Sequence, residues 1–233
     1  MKINILLCDV FEDIMPFEDI TYLSMIKALF DSVMPNIKYE IFEAFARDLP
    51  DTIEENAIYV IPGSRADAYD DAPWLVELRH FIEDLHEDKA KMIGICFGHQ
   101  LIAESLGGRV EKAVVGYGLG VRESEFYNQQ IANCFTSGKL SSYYFHQDQV
   151  VILPPDSIPL ATSSFCPIEG FTIGKHIITV QGHPEYDAAY MRFILKNHSN
   201  ELSEIARMRA LKTLQEETNG TEIVKYMLDF LGS

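Results

Sequence analysis

The chain has 233 residues, of which 47% are apolar, and this length can fill one α/β domain with a buried core. It carries 35 acidic against 19 basic side chains, so its formal net charge is −16. Nucleic acids and anionic membrane surfaces are bound through clustered lysine and arginine, so we expect neither as a partner. A well-solvated acidic surface accounts for the charge, and docking of a basic partner is the alternative.

The cysteines and the first residues of the chain bear on its compartment. The four cysteines lie far apart and form no C-x-x-C pair, so neither a disulfide framework nor a zinc site is predicted. We expect no signal peptide, because the first residues lack a basic region followed by a long apolar stretch. No apolar run approaches the length that spans a bilayer. We therefore expect a cytoplasmic protein whose thiols stay reduced.

The first half of the chain alternates buried strands with amphipathic helices. Short apolar runs rich in β-branched residues predict the strands, and apolar residues at helical spacing predict the helices. The predicted strands are 3–8, 37–42, 57–61 and 92–95, and the predicted helices are 20–30, 73–85 and 97–106. This alternation predicts an open, mostly parallel sheet with helices on both faces.

The second half begins with a different pattern, in which turns rich in glycine, proline and aspartate separate short strand-like segments. These segments are 143–145, 150–153, 170–173 and 177–180. They predict short antiparallel additions to the parallel sheet. From Asp187 onward the pattern is helical, with a break near Asn219-Gly220. No linker or repeat divides the chain, so we expect a single α/β domain over residues 1–233.

The most informative segment is residues 94–100, Gly-Ile-Cys-Phe-Gly-His-Gln. A strand that enters G-x-C-x-G and leaves as a helix is typical of a nucleophile elbow, because glycines permit the strained turn and close packing. The turn would place the sulfur of Cys96 at a helix N-terminus, which favours the thiolate and points N–H groups at a developing oxyanion. A buried structural cysteine is the alternative, and the flanking glycines disfavour it.

A thiolate nucleophile needs a base, and the base needs a group that orients it. Of the seven histidines, His183 lies directly after a predicted strand, where open α/β sheets place their active sites. Glu185 can reach the ring nitrogen that His183 does not turn toward the thiol. His99 lies on the same helix as Cys96, where turning back onto the sulfur is awkward. A turn histidine beside a surface glutamate is the alternative interpretation.

Two motifs together, residues 94–100 and the Gln-Gly-His-Pro-Glu stretch at 181–185, closely resemble those of class I (triad) glutamine amidotransferases. Further segments resemble that family in the same order: Ile61-Pro62-Gly63-Ser64, Gly107-Gly108-Arg109-Val110 and Phe145-His146-Gln147-Asp148-Gln149-Val150. The resemblance covers about residues 57–186 and implies a flavodoxin-like class I glutamine amidotransferase fold.

The resemblance also implies catalytic roles. Cys96 would be the nucleophile, His183 the general base and acid, and Glu185 the carboxylate that orients the histidine. The backbone N–H groups of Gly63 and Phe97 would form the oxyanion hole. Members of the family release ammonia from glutamine through a γ-glutamyl thioester, without a metal or an organic cofactor, so we expect neither.

The substrate would be glutamine or another small γ-glutamyl compound. Gln100 would line the pocket for its glutamine end, and the backbone around His146 and Gln147 would hold its α-amino and carboxylate groups. The family has serine and glycine where this chain has Phe145 and Gln147, so the wall of the pocket differs. This departure predicts a changed substrate preference.

Two functions remain open at this stage. Residues 69–74 resemble a stand-alone subgroup with GMP synthase-like amidotransferases and plant γ-glutamyl peptidases, and we expect no synthetase domain in this chain. The chain is then either a glutaminase-type subunit serving a separate synthase or a peptidase acting on glutathione-like peptides or conjugates. Both use one chemistry, cleavage of a γ-glutamyl amide, which the motifs support directly.

A non-catalytic regulatory protein is a third interpretation, disfavoured by the intact Cys96, His183 and Glu185. A cysteine protease or deglycase on a related scaffold would share the elbow but not residues 182–185.

Overall fold

The computed structural model describes residues 1–11, 20–197 and 202–232. Its strands, β1 to β11, are Lys2–Leu6, Lys38–Phe42, Ala57–Ile61, Lys91–Ile95, Arg109–Lys112, Gly118–Phe126, Lys139–His146, Asp148–Ile152, Ser157–Thr162, Gly170–Ile173 and Ile177–Val180. Its helices, α1 to α7, are Tyr22–Asp31, Pro73–Glu87, Phe97–Ser105, Gln129–Ala132, Ala188–Asn197, Glu204–Thr213 and Gly220–Phe230.

The main sheet has the strand order β2-β1-β3-β4-β11-β10-β9-β6-β7. The first five of these strands run parallel, and the next four are added antiparallel. Strands β5 and β8 form a separate antiparallel pair. The predicted parallel sheet with antiparallel additions is therefore confirmed, and the additions are more extensive than the sequence pattern indicated.

The parallel strands are apolar throughout because both faces of the sheet are covered. In β3, Ile58 and Val60 belong to the cluster that packs against α1, α5 and α7. Tyr59 and Ile61, which alternate with them, belong to the cluster that packs against α2 and α3. Helices thus lie on both faces, as predicted, and burial on both sides explains the continuous apolar runs.

The ends of two helices follow from their capping residues. Helix α1 begins at Tyr22 because the Thr21 side chain accepts the backbone N–H of Ser24 and the Ser24 side chain returns a bond to Thr21, which forms a capping box. The helical C-terminal part is divided into α5, α6 and α7, and the predicted break near Asn219-Gly220 is where α7 begins.

The sheet brings three turns together. Strands β3, β4 and β11 are adjacent and parallel, in the order β3-β4-β11. Gly63 follows the carboxyl end of β3, Cys96 follows β4, and His183 follows β11. Open α/β sheets bind their ligands at this edge, so the candidate site forms where the fold favours one.

Candidate active site

Cys96 occupies a strained turn between β4 and α3. Its backbone has φ 52° and ψ −103°, in a region that a residue with a Cβ rarely adopts. Such a conformation costs about 1–3 kcal/mol and is kept only where the surrounding structure holds it. The turn leaves the side chain at the N-terminus of α3, with 6% of the residue exposed.

Two glycines allow the strand and the helix around Cys96 to approach. A Cβ on Gly98 would overlap the Ile61 carbonyl oxygen and lie 2.6 Å from its carbonyl carbon. A Cβ on Gly94 would lie 2.8 Å from the backbone of Gly98. Because these neighbours are backbone atoms, they cannot turn aside, and the close packing of β3, β4 and α3 requires glycine at both positions.

A chain of side-chain amides reaches the sulfur of Cys96. The Gln181 Nε2 lies 3.6 Å from the Sγ, and the Gln181 Oε1 accepts a bond of 3.2 Å from the Gln100 Nε2. The Gln100 Nε2 also donates to the backbone carbonyl of Asp148 at 2.7 Å. Since the carbonyl end of Gln181 is occupied as an acceptor, its amide N–H group faces the sulfur.

His183 and Glu185 form a buried hydrogen-bonded pair. The His183 Nδ1 lies 2.7 Å from the Glu185 Oε1, and both side chains are buried. The imidazole also stacks on the Tyr186 ring, with centroids 4.0 Å apart and planes at 4°. The ring is therefore held on one face and at Nδ1, so Nε2 is the ring nitrogen that remains to act in the cavity.

The charge state of His183 follows from its neighbours. Burial alone lowers the pKa of His183, but Cys96 and Glu185, both hydrogen-bond partners, outweigh burial and raise the pKa to about 10. Imidazole with this pKa is protonated at neutral pH. The site is thus arranged for an imidazolium between a sulfur and a carboxylate.

A further side chain, Tyr22 from the first turn of α1, is hydrogen-bonded to Glu185 of this pair. Its hydroxyl donates to the Glu185 Oε1 at 2.9 Å and accepts the Gly63 backbone N–H at 2.8 Å. An N–H that already donates to a side chain is not available to an oxyanion, so the structure does not support the predicted oxyanion role of Gly63. The next residue, Ser64, lines the cavity.

One cavity of about 250 Å³ collects most of the predicted site residues. Those that line it are Cys96, Gln100, His146, Gln147 and His183. Glu185 lies behind His183, bound to its Nδ1. Phe97 is the first residue of α3 and is 1% exposed, with its side chain in the core cluster under α2 and α3.

His146 is a neutral part of the cavity wall. Its Nδ1–H donates to the Asp148 backbone carbonyl at 2.9 Å. Burial lowers the pKa of His146 to about 4 against that hydrogen bond, and the nearby charge of His183 lowers it further. His146 is therefore uncharged at neutral pH.

A pair of carboxylates lies at another part of the wall. Burial, with a smaller contribution from Asp67, raises the pKa of Asp148 to about 6. The Lys112 Nζ lies 3.6 Å from the Asp67 carboxylate. Neither carboxylate is the hydrogen-bond partner of the His183 Nδ1, which is bound to Glu185.

Sequence reasoning missed Tyr22 and Gln181 as members of the site. Gln181 gave a weak signal, since it is a polar residue at the end of an apolar strand and is fully buried in the structure. Tyr22 gave none, because its bond to Glu185 joins residues 163 positions apart.

Among the described residues, no group of three or more histidine, cysteine, aspartate or glutamate side chains is arranged to hold a metal ion. No helix in the described ranges is both long and apolar enough to cross a membrane.

Comparison with known proteins identifies relatives of this chain. Gamma-glutamyl peptidase 3 of Arabidopsis thaliana is 35% identical over 158 residues, which are 64% of this chain and 64% of the relative, so the chain spans just under two thirds of that protein's length. Gamma-glutamyl peptidase 2 of the same plant is 29% identical over 192 residues, 77% of this chain and 71% of the relative.

The fold is also found among solved structures. The crystal structure of a glutamine amidotransferase from Thermotoga maritima matches with a TM-score of 0.75 and 22% identity, covering 99% of this chain and 95% of that one. The family model for class-I glutamine amidotransferases matches residues 22–201. These residues include both motif segments, the elbow at Cys96 and the turn at His183, and the chain therefore belongs to the class I glutamine amidotransferase family.

Proposed function

We propose that the protein is a hydrolase of the glutamine amidotransferase type, which cleaves a γ-glutamyl amide through a thioester on Cys96. One observation carries the proposal: the strained Cys96 turn opens into the same cavity as His183, whose Nδ1 is bound to a buried Glu185 at 2.7 Å. A nucleophile, a base and an orienting carboxylate in this order are the requirements of covalent acyl transfer.

The first half-reaction forms the thioester. The Cys96 thiolate attacks the amide carbonyl carbon, and the carbonyl electron pair moves onto the oxygen. The negative oxygen is stabilised by the backbone N–H groups of Phe97 and Ser64. When the C–N bond breaks, the His183 imidazolium gives its Nε2 proton to the leaving amine, which departs as ammonia or as a primary amine.

The second half-reaction regenerates the thiolate. His183, now neutral, takes a proton from water as the water oxygen attacks the thioester carbonyl. The C–S bond then breaks, glutamate leaves as its γ-carboxylic acid, which loses its remaining proton to water, and the thiolate again faces the His183 imidazolium. Glu185 stabilises that imidazolium in both halves without itself taking the proton.

The hydrogen bonds of Gln100 bear on substrate recognition. Its two Nε2 hydrogens are used by Gln181 and by the Asp148 carbonyl, so the group that it can offer to the cavity is the Oε1 acceptor. An acceptor fits an N–H donor of the substrate, such as an α-ammonium group. The wall near His146 and Gln147 lies in the same cavity and completes the proposed binding site.

The γ-glutamyl peptidase function is the second candidate, and the apolar part of the cavity favours it. Phe11, Tyr117 and Phe145 line the cavity together with Tyr186 and Tyr190. Aromatic surface suits a leaving group that is larger than ammonia. Proteins named gamma-glutamyl peptidase are among the relatives at 35% identity or below, which agrees with this preference.

The proposal also covers the cellular location of the protein, its number of domains and its partner. Within the described ranges the cysteines are all free thiols, which supports a reducing, cytoplasmic setting. The nine-stranded sheet continues from β2 at one edge to β7 at the other, which supports a single domain. A separate synthase subunit as ammonia acceptor is the partner that the glutaminase function would require.

A substrate panel on the purified chain tests the function. Glutamine, glutathione and γ-glutamyl conjugates are incubated with the protein alone, and glutamate and released amines are measured by mass spectrometry. Cys96→Ser is the blank, and Cys134→Ser, an exposed cysteine outside the cavity, is the matched control. We expect Cys134→Ser to match wild type and Cys96→Ser to be inactive. Inactivity of wild type on every compound, relieved by a cell-extract fraction, would favour the synthase-dependent function.

A further inference from the structure

We infer that Tyr22 is a positioning residue for this reaction: its hydroxyl joins the Glu185 carboxylate and the Gly63 turn in one hydrogen-bonded chain. The inference rests on the proposed thiol hydrolysis, since it assigns Tyr22 the task of holding the group that orients the base. None of the sequence motifs includes this side chain.

The direction of each hydrogen bond at Tyr22 is fixed. A backbone N–H can only donate, so the hydroxyl must accept from Gly63, at 2.8 Å. Its single hydrogen is then directed at the Glu185 Oε1, at 2.9 Å. The hydroxyl therefore acts as an acceptor toward the turn and as a donor toward the carboxylate.

Glu185 depends on this donor. Its Oε1 accepts from His183 and from Tyr22, while its Oε2 is buried and has no hydrogen-bond partner among the residues that the structure describes. A buried carboxylate is costly unless it is hydrogen-bonded. Tyr22 thus supplies one of the two hydrogen bonds that hold this carboxyl group in place beside the imidazole.

Packing fixes the Tyr22 ring itself. The residue is fully buried, and its ring meets the Phe11 ring edge-on with centroids 4.6 Å apart. It also contacts the Tyr186 ring, on which His183 stacks. Burial, with Glu185 nearby, raises the pKa of Tyr22 well above its ordinary value, so the hydroxyl keeps its hydrogen.

The same hydroxyl connects the base to the turn that borders the nucleophile. Gly63 is held by Tyr22, and the following residue, Ser64, lines the cavity and is tied through its own hydroxyl to the Cys8 carbonyl at 3.1 Å. One side chain therefore sets the position of both the orienting acid and the proposed oxyanion turn.

The test compares two matched tyrosine variants. Tyr22→Phe keeps the ring and removes the hydroxyl, and Tyr59→Phe does the same at a fully buried tyrosine that accepts the Glu54 N–H at 2.8 Å and lies outside the cavity. We expect Tyr22→Phe to lower kcat about tenfold with little change in KM. Tyr59→Phe should keep the wild-type kcat and KM.

A second readout does not depend on the substrate. Alkylation of Cys96 by iodoacetamide is followed by peptide mass spectrometry, with the exposed Cys134 as the internal reference. Alkylation of Cys96 at neutral pH should be slower in Tyr22→Phe, because the base beside the sulfur is less firmly positioned, while Cys134 alkylation should not change. A wild type that cleaves no γ-glutamyl compound would defeat the proposed function, and the rate of Cys96 alkylation would still decide the role of Tyr22.

Two outcomes would overturn the inference. One is a folded Tyr22→Phe protein with the wild-type kcat and the wild-type rate of Cys96 alkylation. If Tyr22→Phe does not fold, fluorotyrosine at position 22 replaces it, because its more acidic hydroxyl is a stronger donor. That hydroxyl should change both kcat and the rate of Cys96 alkylation, and wild-type values for both are the second contradicting outcome.

Discussion

Substitution of Gly98 by alanine probes the close packing of β3 and α3 beside Cys96. The added Cβ would overlap the Ile61 carbonyl oxygen and lie 2.6 Å from its carbonyl carbon and 3.0 Å from its Cβ. Carbon atoms in contact are ordinarily about 3.5–4.0 Å apart, so the shortfall to the carbonyl carbon is about 1 Å. Strand β3 and helix α3 would have to separate by that amount.

The magnitude follows from two opposing effects. Overpacking against backbone that cannot rotate away costs about 3 kcal/mol or more, at the upper end of the usual range. Alanine is favoured over glycine inside a helix by about 1 kcal/mol, which offsets part of this cost. We expect a net loss of about 2 kcal/mol, which lowers the Tm of a chain of this length by roughly 4–8 °C. A displacement of about 1 Å at the nucleophile should also reduce kcat by roughly a hundredfold.

Thermal unfolding by circular dichroism and the substrate panel measure both effects. Gly138→Ala is the control, since its Cβ would meet nothing within 4 Å and its φ of 70° isolates the cost of the left-handed backbone. We expect that control to lose about 1 kcal/mol and to keep its activity. A Gly98→Ala protein with the Tm and kcat of wild type would refute the packing argument.

Three further predictions concern charge at the site. Glu185→Gln should retain more activity in the substrate assay than His183→Ala, because orientation of the imidazole is less demanding than proton transfer; equal losses would contradict this. The alkaline limb of kcat should lie near pH 10, where His183 loses its proton, and a limb near pH 6.5 would show an unperturbed imidazole. The raised pKa of Asp148 means that the native state binds its proton more tightly than the unfolded chain, so stability falls as pH rises through about 4 to 6. In urea unfolding, Asp148→Asn should therefore exceed wild type in stability at pH 7.5 but not at pH 4, and an equal difference at both would contradict the assignment.

The parts of the fold that were predictable are those with local signals. Strand β3, at Ala57–Ile61, and the strand–turn–helix around Cys96 stand out because burial on both faces demands unbroken apolar runs and the turn demands glycine. Strands β5, β6 and β9 were missed. Polar and glycine residues interrupt them, and β6 reads Gly-Leu-Gly-Val-Arg-Glu-Ser-Glu-Phe, which has no clean alternation.

The parts of the site that were not predictable depend on distant contacts. His183 and Glu185 are two residues apart, so their pairing can be inferred from the sequence alone. Tyr22 reaches Glu185 only because helix α1 packs on the sheet beside β3. The hydrogen bond at Gly63 was not predictable for the same reason, since nothing local reveals that a tyrosine from another element accepts its N–H.

The most direct test of the central claim is detection of the covalent intermediate. Wild-type protein is mixed with a γ-glutamyl substrate, quenched in acid within the first turnovers, digested and measured by mass spectrometry. We expect the peptide that contains Cys96 to gain the mass of one γ-glutamyl group, and this adduct to be absent from the peptides of the other cysteines. Turnover without any adduct on Cys96, together with a Cys96→Ser protein that keeps the wild-type rate, would contradict the account.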